Sequence, residues 1–240
     1  MPVKLSEAVE QTNLRICVYG ASGVGKTRSI LTLPGSVLVA NVEGGLRVLQ
    51  GTDREDIEVE QINTFHDFAN LGAAIKSGQV LDCNGAPFTW LVLDSYSELT
   101  ELLHQGAKKA AKGFEVYNRT VDSSQGTLQA LKALPINILF LCKETRKEET
   151  ITVGGEQLKN TYCKAKFPYG EITESLPYQF DFFLRLIAVD EVVSGKRQLV
   201  RYLQTGKTSD ADAKVRETIT AEPVALYEPV DYAALIAKLS

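Results

Sequence analysis

Gly20-Ala21-Ser22-Gly23-Val24-Gly25-Lys26-Thr27 follows an apolar run and opens a helical one. The spacing is G-x-x-x-x-G-K-[ST], and it has a mechanical meaning. Gly20, Gly23 and Gly25 permit a tight turn in which successive backbone N–H groups face phosphate oxygens. The helix that follows directs its positive dipole end at the same point. Lys26 reaches the β- and γ-phosphates as a point charge, and the Thr27 hydroxyl is a ligand for Mg²⁺. Nucleotide contacts are expected from Gly20, Ala21, Ser22, Gly23, Val24, Gly25, Lys26, Thr27 and Arg28. Leu14, Ile16, Val18 and Tyr19 give the preceding run strand composition, while Ile30, Leu31 and Leu33 follow the loop before Pro34-Gly35 stops the helix.

Outward from the loop, the chain alternates strand and helix signals. Ser36-Val37-Leu38-Val39-Ala40-Asn41-Val42-Glu43 reads as a buried strand with an acidic tip, ended by Gly44-Gly45, and Ile57 to Ile62 reads as a short third strand. Thr64 and Asp67 cap a helix whose Phe65, Phe68, Leu71 and Ile75 share one face. His66 only decorates that helix, since a chain with two histidines offers it no metal-site partner. Phe88-Thr89-Trp90-Leu91-Val92-Leu93-Asp94-Ser95 is a hydrophobic strand that delivers a carboxylate at its end, the Walker B pattern. Ligands of an open α/β sheet collect outside the carboxyl ends of its strands. Asp94 is therefore expected beside Thr27, holding the magnesium directly or through water. Trp90, inside the strand, belongs to the core.

A helix from Ser97 to Leu103 is expected to loosen through His104 to Phe114, and from His104 to Arg119 the cations Lys108, Lys109, Lys112 and Arg119 outnumber Glu115. The bland account of those lysines is a solvated helix face. A long helix then runs to Leu134 before Pro135, and Ile136 to Cys142 is another buried strand, with Lys143, Glu144 and Arg146 at its tip. Residues 144–170 form the least regular stretch. Thr150 to Val153 has the makings of a hairpin arm, and basic and aromatic residues follow. Phe182 to Val189 and Arg197 to Leu203 read as antiparallel strands, and a last helix covers about Tyr232 to Leu239.

The composition excludes several classes. A chain of 240 residues with 44% hydrophobic content fits one large domain. Net charge is −4, so no global basic field advertises a polyanion partner, and any such contact must be local. Met1-Pro2-Val3-Lys4 leads into Glu7 and Glu10 without an apolar segment, and no later stretch is long enough to span a bilayer. A cytoplasmic protein without membrane contact is the expectation. Cys17, Cys83, Cys142 and Cys163 are scattered, which predicts reduced and mostly buried thiols.

The order of these parts resembles the RecA core, and more closely the short phage nucleotide-binding ATPases that keep only the motor domain of a recombinase. The resemblance runs over about residues 14–216. It implies an α/β, RecA-like P-loop NTPase with a mostly parallel central sheet flanked by helices and an antiparallel C-terminal extension. Residues 1–13 would be an arm or short helix, 14–220 the ATPase core and 221–240 a tail with a short helix. By the same resemblance Glu43 activates the attacking water, although Asn41 stands where the family often has an acidic residue. Lys143 occupies the position of a polar γ-phosphate sensor, usually glutamine or a histidine-containing variant. The stretches near 104–119 and 143–170 match two DNA-binding loops, so Lys108, Lys109, Lys112, Arg119, Arg146 and Lys147 become candidate contacts. Lys214-Val215-Arg216 resembles the basic pair that reaches a neighbouring subunit's nucleotide. ATP and Mg²⁺ are the implied cofactors. Implied partners are single-stranded DNA, further copies of the chain in a filament or ring, and a single-strand-binding protein. A phage-encoded chain would work in the host cytoplasm.

Phosphoryl transfer to water needs charge on the phosphates neutralised, a metal, and a group that orients or deprotonates the nucleophile. Lys26, Mg²⁺ on Thr27 and Asp94, and Glu43 supply these. A kinase would want an arginine-rich lid and an acceptor pocket, and a GTPase an N-K-x-D motif that Asn118-Arg119-Thr120-Val121-Asp122 does not match. The alternative that stays open is a P-loop ATPase acting as a replication or packaging loader or regulator, without pairing strands itself.

Overall fold

The structure, a computed structural model, describes residues 13–153, 156–216 and 222–239. Most of the expected N-terminal arm, and Gly154-Gly155, lie outside them. Six strands form a parallel core: β1 (Arg15–Gly20), β2 (Val37–Asn41), β3 (Ile57–Gln61), β4 (Trp90–Asp94), the first part of β5 (Asn137–Val153) and β7 (Phe182–Val193). They lie in the order β7-β1-β5-β4-β2-β3. Two further strands, β8 (Lys196–Gln204) and β10 (Tyr227–Pro229), extend the β7 edge in antiparallel fashion. The two-residue β9 (Lys214–Val215) pairs with the start of β7.

Alternation along the buried strands builds two cores. Leu91, Leu93, Ile138, Phe140 and Cys142 face one side, where they meet α2 (Phe65–Lys76), α3 (Tyr96–Ala110) and α4 (Phe114–Lys132). Trp90, Val92, Leu139 and Leu141 face the other, against Ile30, Leu33 and α6 (Tyr232–Leu239). Each such side chain contributes roughly 1.5–3 kcal/mol by leaving water. The C-terminal segment is more than a tail, because β10 joins the sheet while Tyr232, Leu235 and Leu239 are buried in the second core. Cys17, Cys142 and Cys163 are buried, and Cys83 is exposed.

Three stretches differ from the reading of the sequence. The helix after the phosphate loop is short: α1 (Lys26–Ser29) tightens at once into a 3₁₀ turn over Ile30–Thr32. The expected loosening at His104 does not occur. Ser95 caps α3 by accepting from the Glu98 N–H, and the helix runs unbroken through Gly106 to Ala110. It stops where Ala111 turns extended and Gly113 takes φ +60, so the first candidate DNA loop is mostly two helix ends. Residues 144–165 form a regular hairpin rather than an irregular loop. β5 continues beyond the sheet and pairs with β6 (Glu156–Ala165) from Glu144 opposite Ala165 outward. Once outside the sheet its polar residues have no core to face, and strand pairing satisfies the backbone instead. A short helix, α5 (Gly170–Ser175), leads back to β7.

Candidate functional site

Parallel register places the ends of β1, β4, β5 and β2 side by side. Gly20 lies opposite Lys143, Asp94 opposite Leu141, and Asn41 opposite Asp94. The phosphate loop rises from this edge. Gly20 must be glycine because a Cβ would lie 2.6 Å from the Leu186 carbonyl oxygen, and Gly23 and Gly25 have φ +75 and +107. The Lys26 ammonium folds back on the loop, donating to the Gly20 and Ala21 carbonyls at 2.8 and 2.9 Å. Burial lowers its pKa, and this outweighs the opposite pull of Glu43 and Asp94. Arg28 is exposed on α1.

The Thr27 hydroxyl donates to Asp94 Oδ2 at 2.8 Å. Asp94 is 4% exposed, and its pKa is raised by burial, with the Thr27 bond and Lys26 acting against this and Glu43 reinforcing it. Two hard oxygens at that separation suit a cation that keeps water and phosphate oxygens as its remaining ligands, as Mg²⁺ does. The described residues hold no cluster of three or more His, Cys, Asp or Glu that would make an all-protein metal cage.

Glu43 sits two residues beyond β2 in a turn fixed by its neighbours. The Val42 and Glu43 N–H groups donate to the Asp94 carbonyl at 2.7 and 3.1 Å, and the Gly44 N–H donates to Asn41 Oδ1 at 2.9 Å. Asn41 thus shapes the turn that carries Glu43, a task its amide performs and that its sequence position did not announce. The Glu43 carboxylate lies 3.1 Å from Lys143 Nζ, which also bonds Glu98. Burial lowers the Lys143 pKa, but bonds to Glu98 and Glu43 outweigh it and leave the group raised. Glu98 comes from the first turn of α3, and so does Ser97, whose hydroxyl accepts from the Lys143 N–H at 3.0 Å. Arg201 also reaches the loop, donating from Nε to the Val24 carbonyl at 2.9 Å. Glu98, Ser97 and Arg201 were missed because no motif spacing links them to the loop.

The remaining predicted residues lie elsewhere. Lys108, Lys109, Lys112 and Arg119 are exposed around the α3–α4 turn, with Arg119 paired to Glu115 on its own helix. Arg146 and Lys147 are exposed on the hairpin, Arg146 with Glu144 at 3.4 Å. Lys214 and Arg216 lie at the opposite end of the sheet, since Lys214 pairs with Phe183, itself opposite Cys17. That is three strand residues below Gly20, or about 10 Å. There Arg216 bonds Asp181 and, with Arg15 and Lys132, lines a cavity of about 410 Å³. A larger apolar groove of about 830 Å³ lies among α2, α3 and α4, away from all these charges but Arg119 and Lys76. Among the described residues no helix is long and apolar enough to cross a membrane.

A protein-family profile described as AAA domain matches residues 12–217. No curated protein matches the chain.

Proposed function

Since the chain belongs to the AAA-domain family, a family of nucleotide-binding ATPases, we propose that it is a RecA-like, magnesium-dependent ATPase that binds single-stranded DNA and promotes strand pairing. The observation that carries the catalytic part is the contact chain Thr27–Asp94 beside Glu43–Lys143, assembled from four different elements. Bound magnesium would neutralise phosphate charge and orient the γ-phosphate. Lys26 exchanges its two loop carbonyls for phosphate oxygens, a modest rotation of a side chain already at the loop. Glu43, at the mouth of the same edge, orients the attacking water and accepts its proton. Lys143 is held between two carboxylates with its charge intact, within the same cluster, and is available to a γ-phosphate as that charge develops. Lys214 and Arg216 sit too far down the sheet to serve their own phosphates, so in this reading they serve the nucleotide of a second copy.

Single-strand binding rests on two features of the rim. Phe114 is 75% exposed and stacks on Tyr117 with ring centroids 5.3 Å apart, beside Lys112. An exposed aromatic next to free lysines is the combination that stacks bases and neutralises their phosphates. The hairpin rooted at Lys143 carries further cations. Its aromatic neighbours do not add stacking: Tyr162 is buried with its hydroxyl on Asp212, Phe167 packs on Tyr96, and Tyr169 packs on Tyr117 and His104. The ion pairs at Arg119 and Arg146 reduce the free positive charge, and that observation favours the loader or regulator as the second reading. ATP hydrolysis measured with and without single-stranded DNA separates the two. Stimulation by DNA, with ATP-dependent DNA binding at low salt, is the expected result; hydrolysis indifferent to DNA would leave the loader.

A further inference from the structure

One guanidinium at the phosphate loop arrives from the antiparallel extension of the sheet. Arg201 lies in β8 opposite Ala188 of β7, and its Nε bonds the Val24 carbonyl across 177 residues of sequence. The side chain lies flush against Gly25: a Cβ there would sit 2.9 Å from Nε and 3.2 Å from Cδ. Arg201 is half-buried, and among the described residues no carboxylate pairs with it. A half-buried arginine without an acidic partner among the described residues calls for another explanation. The β7–β8 hairpin therefore grips the loop at both ends, through the Leu186 carbonyl under Gly20 and through Arg201 at Val24 and Gly25.

The geometry of one peptide unit turns this contact into a function. The Val24 carbonyl and the Gly25 N–H belong to the same planar unit, and in a trans peptide they point in opposite directions. A donor that fixes the carbonyl outward fixes the N–H inward, and a charged donor also polarises the unit, making that N–H a stronger donor. Gly25 has φ +107, and among the described residues no other side-chain hydrogen bond to this peptide accompanies that from Arg201. We propose that Arg201 is a positioning residue of the phosphate loop, which it braces through the Val24 carbonyl so that the Gly25 N–H is aimed at the nucleotide's phosphates. The assignment rests on the nucleotide-binding reading above. Because loop N–H groups cradle the phosphates that ATP and ADP share, both nucleotides should depend on Arg201 equally.

The test is calorimetric titration of the full chain with MgATP and MgADP, in the parent, Arg201→Ala and Arg201→Lys. Arg201→Ala should bind both nucleotides about tenfold more weakly, the size expected for losing a charge-assisted hydrogen bond. Millimolar guanidinium ion, far below denaturing concentration, should restore most of that loss, while equal sodium chloride should not. Arg201→Lys should fall between, because an ammonium keeps the charge without the planar fork. Parental affinity in Arg201→Ala overturns the proposal. Weakened binding that guanidinium does not correct also overturns it, since the residue then merely packs β8. A loss confined to ATP overturns it in favour of a γ-phosphate contact. A parent that binds neither nucleotide fails the underlying reading instead, and is distinguishable for that reason.

Discussion

At the loop end of the sheet, Thr27, Asp94, Glu43 and Lys143 come from four elements and are joined by hydrogen bonds and an ion pair, with the Lys26 ammonium held on loop carbonyls nearby, whereas at the rim Lys108, Lys109 and Lys112 make no ion pair among the described residues. Arg119 and Arg146 pair only with carboxylates one turn or two residues away. The first cluster is preorganised: parallel register brings the strand ends together whether or not a ligand is present, with Asp94 buried among them while Lys143 and Glu43 reach toward the surface. The exposed Arg119–Glu115 pair is cheap to break, since such pairs are worth roughly 0.2–1 kcal/mol, whereas Glu144, the partner of Arg146, is buried and shared with Arg185. In the proposed reading, chemistry belongs to the rigid edge and strand binding to the exposed cations of the rim.

The sharpest way to break the comparison is to remove single groups at the rigid edge. Glu43→Gln should lower ATP hydrolysis by about 10²–10⁴ while leaving ATP affinity near parental, because a proton acceptor matters only once the water attacks. Lys26→Ala should lose tight ATP binding itself. Titration with a fluorescent ATP analogue, alongside phosphate release, checks both; equal loss of binding in the two variants would remove Glu43 from the base role. Asp94→Ala should move the magnesium midpoint of hydrolysis upward, and an unchanged midpoint would show that Thr27 holds the ion without it.

The far end of the sheet sharpens the comparison next. Arg216→Ala and Glu43→Gln are each expected to be nearly inactive alone, since a cation supplied in trans can be worth about 10³-fold or more in phosphoryl transfer. Mixed, they should regain a fraction of parental activity, because some junctions then pair an intact Arg216 with an intact Glu43. A mixture that forms hybrid assemblies yet stays inactive at every ratio places Arg216 in the Asp181 ion pair and nowhere else.

What could be read in the sequence follows the same division. The loop, Asp94 and Glu43 were legible because the ends of parallel strands lie on one edge by topology, and a motif in chain order is then also a motif in space. Asn41 looked like a mild departure until its amide was found holding the Gly44 N–H. The α3 helix was cut short at His104 because Gly106 and three nearby lysines weaken the local signal. Tertiary contacts overrode it: the His104 ring bonds Thr120 and packs on Tyr169, and Ala107 is buried. The hairpin at 144–165 was legible only at its tip, where Thr150 to Val153 suggested an arm, because the mixed charged and polar residues from Glu144 to Glu149 show no period. Arg201 was illegible for a different reason, since its importance lies in a single bond to a carbonyl far away in sequence.

The smallest effects belong to the rim, and they distinguish two ways of holding a strand. Phe114→Ala removes a stacking surface and should cost about 1–3 kcal/mol of single-strand binding, nearly the same at low and high salt. Replacing Lys108, Lys109 and Lys112 together with alanine removes charge instead. Each lost phosphate contact reduces the log–log salt slope by about 0.7, so the slope should flatten by about 2 for the triple variant. At high salt, where released counterions count for little, the triple variant should approach the parent while Phe114→Ala stays weaker. Neither change should alter ATP affinity, because the α3–α4 turn makes no contact with the loop residues described above. Fluorescence anisotropy of a labelled oligonucleotide across a salt series, with ATP and magnesium present, reads both quantities at once. A triple variant whose slope matches the parent would mean that these lysines only solvate the end of α3. The rim would then have to lie on the β5–β6 hairpin, where Arg146→Ala and Lys147→Ala repeat the same measurement.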